Sequence, residues 1–374
     1  MQPCPVMANV LTHFAITRPK LVIPQERTLD WLAAAHAQSE AVLKGLDDDG
    51  RRAFEERLRA VIARVGCGPD RIAQRGASTA DVTSTDWDAH ELYDLRRDPH
   101  GRDTGERMRV FAGVADDYFD RAFPDGTPPP DDIVHVTCTG YLSPSAAQKL
   151  VSKRRWPTRI VHAYHMGCYA AVPAVRIALG LGRQVDIVHT ELCSLHVDPT
   201  DHGLGTLVVQ SLFADGLVRY SLVPDGPGLR VVAVHEQVLP DTEAEMTWVP
   251  SGHGMRMELA RDVPDQISGA VRLFVAALFD RAGMSLRALR DTVFAVHPGG
   301  PKIIDRVRDT LELGESQVAT SRRILLEHGN MSSATLPHIW AALLADTTIA
   351  PGTRIASLAF GPGLTTCGIV LEKQ

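Results

Sequence analysis

Three side chains that lie far apart in the sequence could together carry out nucleophilic chemistry. Cys168 stands between the apolar run at 159–165 and a segment with a helical pattern, so its thiol would lie at a helix N-terminus. Unpaired N–H groups and the helix dipole favour a thiolate at that place. His297 follows a second apolar run, and histidine exchanges protons near neutral pH. Asn330 lies beside Gly329 at a helix–loop junction.

Each of these residues alone is more often structural than functional. A lone cysteine is most often buried in a core, a histidine before proline is most often a loop residue, and Gly-Asn is most often a turn. Cys168 and His297 nevertheless both follow predicted strands, and ligands gather at the carboxyl ends of strands in α/β sheets. This shared placement is the reason to consider them together.

The segments that would position these residues alternate between strand and helix. A short strand lies within 15–25 and leads into a helix near 28–32. Further strands are predicted at 133–136, 159–165, 185–189, 217–223, 229–236, 255–259, 292–296, 354–360 and 366–372. Helices are predicted at 50–65, 105–122, 170–180, 263–282, 301–313, 321–328 and 334–345, with another running from an N-cap at Ser143 to about 154 and one ending near 213–216. Such alternation implies parallel strands joined by helical crossovers, and hence an α/β sheet.

The length of the chain and the order of its elements indicate two halves. A chain of 374 residues can form two cores, because single cores usually stop growing beyond about 250–300 residues. The order of strands and helices in the second part repeats the plan of the first, although the sequence itself shows no repeat. We expect the boundary after the turn PDGPG, which separates residues 1–228 from residues 229–374.

Charge, hydropathy and metal-binding residue types exclude several classes of function. A net charge of -6 and a pI of about 6.2 provide no basic surface for nucleic acid. No apolar run is long enough to span a bilayer and no secretion signal is visible, so we expect a cytoplasmic protein. The six cysteines form no CxxC pair, which argues against a disulfide framework or a zinc ribbon: Cys4, Cys67, Cys138, Cys168, Cys193 and Cys367. Four histidines lack the spacing of metal ligands, so no metal is expected: His162, His165, His189 and His196.

Five motifs in a fixed order carry a resemblance to a known family. They are MGC at 166–168, SLFADG at 211–216, HPGGP at 297–301, GNMSS at 329–333 and FGPGLT at 360–365. With them, the sequence closely resembles the chalcone synthase-like, type III polyketide synthases of the thiolase superfamily over nearly its whole length, least over the first 100 residues. The resemblance implies a duplicated thiolase-type α/β fold with two similar αβαβα-layered halves, of which 1–228 carries the cysteine and 229–374 the histidine and asparagine.

The resemblance also implies a reaction. Cys168 would attack an acyl-coenzyme A thioester and hold the starter, with an ion pair to His297 stabilising its thiolate. His297 and Asn330 would then bind the thioester carbonyl of malonyl-coenzyme A while carbon dioxide leaves. The chain would grow by two carbons at each step and cyclise to a pyrone or resorcinol-type product. The family uses coenzyme A thioesters without a tightly bound cofactor and is expected to be homodimeric.

Further residues are assigned by the resemblance to the walls of the substrate cavity. Phe213 matches the phenylalanine between the coenzyme A tunnel and the cavity, although a core aromatic at a helix end is an equally good reading. The other expected lining residues are Cys138, Cys193, His196, Trp248, Met257, Ser332, Pro362 and Gly363. Several of them differ in type from the plant enzymes and look like those of bacterial relatives, which argues against a coumaroyl starter. Coenzyme A contacts are expected from a basic helix with Arg57, Arg59 and Arg64, and Cys367 is expected to be a core thiol.

The sequence leaves other functions on the same residues open. A ketoacyl synthase III-like enzyme would perform one condensation, with delivery by coenzyme A or by an acyl carrier protein. A non-catalytic partner subunit would share the fold, but a scaffold has no need of the three residues together. A cysteine hydrolase would release free acid without consuming malonyl-coenzyme A. The starter, the number of extensions and the mode of ring closure are not determined by the sequence.

Overall fold

The computed structural model describes residues 9–374, with thirteen strands and ten α-helices, while Cys4 lies outside the described residues. The strands are β1 (Val10–Thr17), β2 (Leu21–Pro24), β3 (Gln74–Ala77), β4 (Asp132–Thr137), β5 (Arg159–Tyr164), β6 (Val185–Glu191), β7 (Gly216–Val223), β8 (Leu229–Val238), β9 (Met246–Ser251), β10 (Gly254–Leu259), β11 (Val293–Val296), β12 (Arg354–Gly361) and β13 (Thr365–Lys373). The helices are α1 (Gln25–Lys44), α2 (Asp48–Val65), α3 (Thr104–Ala122), α4 (Ala146–Arg154), α5 (Ala171–Leu181), α6 (Leu204–Leu212), α7 (Val263–Arg281), α8 (Pro301–Leu311), α9 (Glu315–His328) and α10 (Thr335–Ala345). None of these helices is long and apolar enough to cross a membrane.

A mixed sheet of nine strands carries the three candidate residues, in the order β11-β12-β13-β8-β1-β7-β6-β4-β5. The pairs β4–β5, β4–β6 and β11–β12 are parallel, as the alternation of strands and helices predicts. The central strands pair antiparallel instead, from β6 through β7, β1, β8 and β13 to β12. Strands β12 and β13 are joined by only three residues, too few for the helical crossover that a parallel pair requires.

Strand β1 joins the two parts of the sheet. It pairs antiparallel with β7 and, through Val10 and Leu11, with β8. Strands β7 and β8 are therefore not neighbours, although only the turn at 224–228 separates them in the sequence. The predicted boundary between 228 and 229 coincides with the start of β8, and the sheet continues across it.

Most predicted elements have the expected type, and the differences have identifiable causes. The cap of α4 is Ser145, not Ser143, because the Ser145 side chain accepts from the N–H of Gln148 and the Gln148 side chain accepts from the N–H of Ser145. The segment at 255–259 is half of a hairpin with β9, a strand that the sequence pattern does not indicate because half of it is exposed. Helix α9 begins at Glu315, six residues before the predicted start.

Helix α5 is packed between strands from both parts of the sheet. It contacts β4, β6 and β7 on one side and β13 on the other. Its buried side chains are all small, which lets the strands approach closely: Ala171, Val172, Pro173, Ala174, Val175 and Ala178. This packing fixes the position of the residues just before α5, which include Cys168.

A buried arginine of α3 holds the turn at 193–196. Arg107 is fully buried, and each of its guanidinium nitrogens has an oxygen partner. Its Nε donates to Arg102 O at 2.8 Å, its Nη2 to His100 O at 2.8 Å and its Nη1 to Leu195 O at 2.6 Å. Because the partners are backbone carbonyls, the guanidinium works as a cross-link between loops that lie far apart in sequence.

Candidate active site

Cys168 lies at a sharp corner between β5 and α5. Strand β5 ends at Tyr164 and helix α5 begins at Ala171, so the cysteine precedes a helix as predicted. Gly167 makes the corner possible, because its φ of +82° lies in the left-handed region and a Cβ there would meet Pro362 Cδ at 2.6 Å. The Cys168 side chain is buried, and its sulfur lies 4.0 Å from Ser332 Oγ.

Asn330 is held by the chain segment that carries Phe213. The Asn330 N–H donates to Leu212 O at 2.9 Å, and the Ala214 N–H donates to Asn330 O at 2.8 Å. The asparagine side chain is oriented as well, because its Oδ1 accepts from the N–H of Ser332 at 2.9 Å. The amide Nδ2 must therefore point the other way, and it has no hydrogen-bond partner.

His297 directly follows β11 and lies in the same cavity as Cys168 and Asn330. Its backbone N–H donates to Leu358 O at 2.8 Å, which continues the pairing of β11 with β12. Both ring nitrogens of His297 are buried without a hydrogen-bond partner. The structure thus brings the three candidate residues together and leaves two of them with free, buried polar groups, which a bound oxygen could satisfy.

Burial sets the charge of both reactive side chains. It raises the pKa of the Cys168 thiol to about 12, an effect that the nearby Ser332 hydroxyl opposes and the negative charge of Glu191 increases. Burial also lowers the pKa of His297 to about 3. No hydrogen bond joins the two side chains. Burial therefore opposes the expected thiolate–imidazolium pair, because it favours the uncharged form of each side chain.

Glu191, at the end of β6, forms a polar floor beneath the cysteine. Its carboxylate accepts from the Cys138 N–H and the Thr139 hydroxyl, each at 3.0 Å, and from the Ser333 hydroxyl. Burial raises its pKa to about 7. The sequence analysis did not select Glu191 as a site residue, although a carboxylate directly after the buried strand at 185–189 was a usable signal.

A second cavity opens from Cys168 on the side away from His297. Cys168, Phe213 and Met257 line both cavities, so they lie where the two meet. Five other predicted lining residues face only the second one: Cys138, Cys193, His196, Trp248 and Ser332. The position of Phe213 between the cavities agrees with the gate that the resemblance implies.

The walls of the second cavity are fixed by hydrogen bonds. Cys138 Sγ accepts from the Gly167 N–H at 2.9 Å, and its carbonyl accepts from Trp248 Nε1 at 2.8 Å. His196 Nε2 donates to Thr139 O at 2.8 Å, while its Nδ1 accepts from the Met255 N–H at 3.1 Å. These two contacts require the neutral ring, and burial lowers the pKa of His196 to about 3.

Two predicted loop residues lie behind the site. Pro362 packs against Gly167, and the Gly363 N–H donates to Met246 O at 3.2 Å, but neither residue lines either cavity. They support the Cys168 corner and the β9–β10 hairpin from outside. Their assignment to the cavity wall was therefore wrong.

The basic residues of α2 also lie outside both cavities. Arg59 pairs with Asp30 and Glu55, Arg57 lies over the Phe54 ring, and Arg64 is exposed. The prediction of coenzyme A contacts there lacks support, because an amphipathic helix turns its charged residues to solvent. Lys302, at the start of α8, is the charged side chain among the described residues that line the His297 cavity.

No metal site accompanies these residues. Within residues 9–374, no three His, Cys, Asp or Glu side chains are grouped as a metal ion would require.

The charge of Glu191 gives a test of this electrostatic description. Because that charge raises the pKa of Cys168, Glu191→Gln should lower the thiol pKa and move the pH profile of Cys168 alkylation to lower pH. Iodoacetamide labelling followed by intact mass measures the profile. The exposed Glu243→Gln serves as a control that should leave it unchanged. A profile that stays in place in Glu191→Gln would contradict the description.

Comparison with known proteins shows which families and structures the chain resembles. Residues 230–373 match the family model "Chalcone and stilbene synthases, C-terminal domain". The chain is 30% identical over 256 residues to "Probable polyketide synthase 1" of Dictyostelium discoideum, covering 64% of this chain and 8% of that protein. It is also 30% identical over 244 residues to "1,3,6,8-tetrahydroxynaphthalene synthase" of Streptomyces griseus, covering 63% of this chain and 64% of that protein. The matched region is thus less than two thirds of either relative.

Solved structures agree with the fold over almost the whole chain. The C-terminal type III polyketide synthase domain of Steely1 from Dictyostelium matches with a TM-score of 0.81, at 22% identity and with 98% of this chain and 99% of that one covered. 1,3,6,8-Tetrahydroxynaphthalene synthase from Streptomyces coelicolor matches with a TM-score of 0.78, at 23% identity and with the same coverage. The chain therefore has the thiolase-type α/β fold of these type III polyketide synthase structures, and its C-terminal part is similar to the chalcone and stilbene synthases.

Proposed function

We propose that the protein is a type III polyketide synthase that loads an acyl starter from coenzyme A onto Cys168 and extends it with malonyl-coenzyme A. The observation that carries this proposal is the junction of two cavities at Cys168. His297 and Asn330 line only one of them. Such an arrangement provides one arm in which an extender is activated and another in which the acyl chain grows.

Loading begins from the neutral thiol. The unprotonated ring nitrogen of His297 accepts the thiol proton as the Cys168 sulfur attacks the thioester carbonyl. The new sulfur–carbon bond forms, the bond to the coenzyme A sulfur breaks, and the imidazolium returns the proton to the leaving thiolate. Charge separation occurs only while the substrate is bound, which is consistent with the burial of both groups.

Decarboxylation then uses the free donors of the same cavity. The thioester oxygen of malonyl-coenzyme A accepts from an N–H of neutral His297 and from Asn330 Nδ2, and negative charge develops on that oxygen as carbon dioxide leaves. The surrounding wall is mostly apolar and includes Val208, Leu212, Ile267 and Phe360. An apolar wall destabilises the substrate carboxylate and favours its loss. The resulting carbanion attacks the acyl carbonyl on Cys168, so a carbon–carbon bond forms, the sulfur–carbon bond to Cys168 breaks and the Cys168 thiolate leaves. The extended chain is then a coenzyme A thioester and returns to Cys168 by the loading step.

The second cavity, lined by Trp248, Cys138 and Arg75, is the growth arm of the proposed enzyme. Its volume favours a small starter and few extensions. It is about 90 Å³, below the roughly 300–1,000 Å³ of typical small-molecule pockets. A pyrone or resorcinol-type product fits this restriction.

A ketoacyl synthase III-like enzyme that performs one condensation is the second candidate, with delivery by coenzyme A or by an acyl carrier protein. Product mass distinguishes the two, because only the polyketide synthase adds several two-carbon units.

Removal of one donor tests the decarboxylation step. Asn330→Ala or His297→Gln should lower the rate of carbon dioxide release from malonyl-coenzyme A by about 100- to 1,000-fold, as loss of one oxyanion donor does elsewhere. His253→Gln, a histidine outside both cavities, is the matched control and should retain activity. In Asn330→Ala, intact mass should still show the acyl group on Cys168. Full carbon dioxide release from Asn330→Ala would contradict the proposed role.

Trp248 gives a test of the growth arm. Trp248→Gly enlarges this cavity, so products with longer starters or more extensions should appear when acyl-coenzyme A panels are incubated with malonyl-coenzyme A. Trp248→Phe keeps most of the volume and removes only the hydrogen bond to Cys138 O, so its products should match those of the parent protein. An unchanged product spectrum in Trp248→Gly, measured by mass spectrometry, would show that the arm does not hold the chain.

A homodimer is part of the proposal. Strand β5, which leads to Cys168, lies at the edge of the nine-stranded sheet and has one side of its backbone unpaired by the sheet. A second copy that packs on this edge would cover it. Light scattering during size-exclusion chromatography should give the mass of two chains, and the mass of one chain would refute this part.

A further inference from the structure

Two buried arginines lie near the growth arm, and they differ in their hydrogen bonds. Every guanidinium nitrogen of Arg107 has an oxygen partner. Arg75, at 5% exposure, uses only Nη1, which donates to Gln210 O and Phe213 O, each at 2.7 Å. Its Nε and Nη2 are buried without a partner. Arg107 is therefore a complete structural cross-link, whereas Arg75 has two unused donors.

Arg75 lines the growth arm of the proposed enzyme, and its two unused donors are buried at the wall of this cavity. Arg75 lines that cavity together with Cys168, and it lies on β3 directly opposite Ile23 of β2, another lining residue. Burial lowers the pKa of Arg75 to about 10, so the guanidinium remains charged at neutral pH. A buried charge without a full set of partners is destabilising, and an oppositely charged ligand would remove that cost.

The carboxylates around this cavity are already engaged with other groups. Asp201 pairs with Arg256 at 3.1 Å, Asp198 accepts from the Thr200 hydroxyl at 2.6 Å, and Asp215 accepts from the Ser194 N–H at 2.8 Å. None of them bonds to Arg75. Trp31, which lines the same cavity, also has a buried indole N–H without a partner.

The identity of the two free nitrogens indicates the shape of the missing ligand. Nε and Nη2 lie on the same edge of a guanidinium and can bind both oxygens of one carboxylate. Arg159 uses this pair elsewhere in the chain, where its Nε and Nη2 donate to the two oxygens of Asp132 at 2.9 and 2.6 Å. The free edge of Arg75 has the same chemistry but faces no protein carboxylate.

We propose that Arg75 binds a carboxylate at the far end of the acyl group held by Cys168, so that the starter is the coenzyme A thioester of a dicarboxylic acid. This inference rests on the proposed polyketide synthase function and adds to it the class of starter. Arg75 is a specificity-determining residue in this role, with Trp31 Nε1 as a further donor. The same arginine also positions the gate residue Phe213, through the bond to its carbonyl.

Matched pairs of thioesters test the inference on the intact protein. Succinyl-, glutaryl- and adipyl-coenzyme A are compared with butanoyl-, pentanoyl- and hexanoyl-coenzyme A, which have the same chain lengths without the terminal carboxylate. The measured quantity is the rate at which each acyl group appears on Cys168, followed by intact mass. For at least one length, the dicarboxylic thioester should react at least about tenfold faster than its neutral partner, as expected for a charge-assisted pair.

Variants assign that preference to Arg75. Arg75→Gln should abolish the preference, measured as the ratio of the two rates within that variant, and Arg75→Lys should keep part of it. Trp31→Phe, which removes the indole N–H together with part of the aromatic ring system, should reduce the preference by a smaller factor. Arg71→Gln, an exposed arginine on the same segment, is the matched control and should leave it unchanged.

Each result decides the question. Equal rates for both members of every pair in the parent protein would overturn the inference, and this measurement needs no variant. A preference that persists in folded Arg75→Gln would also overturn it. If Arg75→Gln does not fold, two other measurements test the inference: the preference of the parent protein for the dicarboxylic thioester, and the reduction of that preference in Trp31→Phe. Failure of all thioesters to acylate Cys168, together with no carbon dioxide release from malonyl-coenzyme A, would instead refute the proposed function itself.

Discussion

Exclusion of water from the Cys168 corner is the constraint on which the other properties of the site depend. It raises the pKa of the Cys168 thiol, lowers the pKa of His297 and raises the pKa of Glu191 to about 7. These groups are held by the sheet and by α5, whose small buried side chains bring strands from both parts of the sheet together. In the proposed reaction, charge on the reacting groups therefore forms only as the new bonds form. The hydrogen-bond donors of the buried site are already oriented, and they stabilise this charge more strongly than they would in water.

Backbone pairing joins Phe213, the proposed gate, to Asn330, a proposed hydrogen-bond donor to the extender. Two proposed functions therefore depend on one structural unit. Phe213 and Asn330 form an isolated parallel bridge, so the backbone segments that carry these two side chains are tied together. Arg75 reinforces this unit through the carbonyls of Gln210 and Phe213. In the proposed enzyme, a backbone shift at Phe213 would therefore also shift Asn330.

The sequence predicted the parts of the site that depend on motifs and failed for those that depend on burial. Cys168, His297 and Asn330 meet as expected, because each follows a strand or helix end with a recognisable turn. The effect of burial on the Cys168 thiol was not predicted, since it depends on Glu191 of β6 and on Ser332, which are distant from the cysteine in the sequence. Lys302 and Arg75 were missed for the same reason: one cation among many in a sequence gives no sign of which cavity it lines.

The fold was predicted most reliably where local pattern and tertiary packing agree. Long amphipathic helices such as α2 and α3, and the buried parallel strands β4 and β6, were recognised within a few residues. The insertion of β1 between β7 and β8 was not, because it depends on pairing between residues more than 200 positions apart. The hairpin β9–β10 was half recognised, although it carries Trp248 and Met257 into the cavity walls.

Cys138 shows how strongly neighbouring positions constrain one another in this site. Its N–H binds the floor carboxylate, its sulfur receives the N–H of Gly167 beside the nucleophile, and its carbonyl receives the Trp248 indole. One residue thus connects the floor, the corner and the wall of the growth arm. Substitutions at these positions should have non-additive effects, since residues that share hydrogen-bond partners are energetically coupled. A change in product during evolution would then require coordinated replacement of several wall residues. A single substitution taken from a relative would not reproduce that relative's product in this chain.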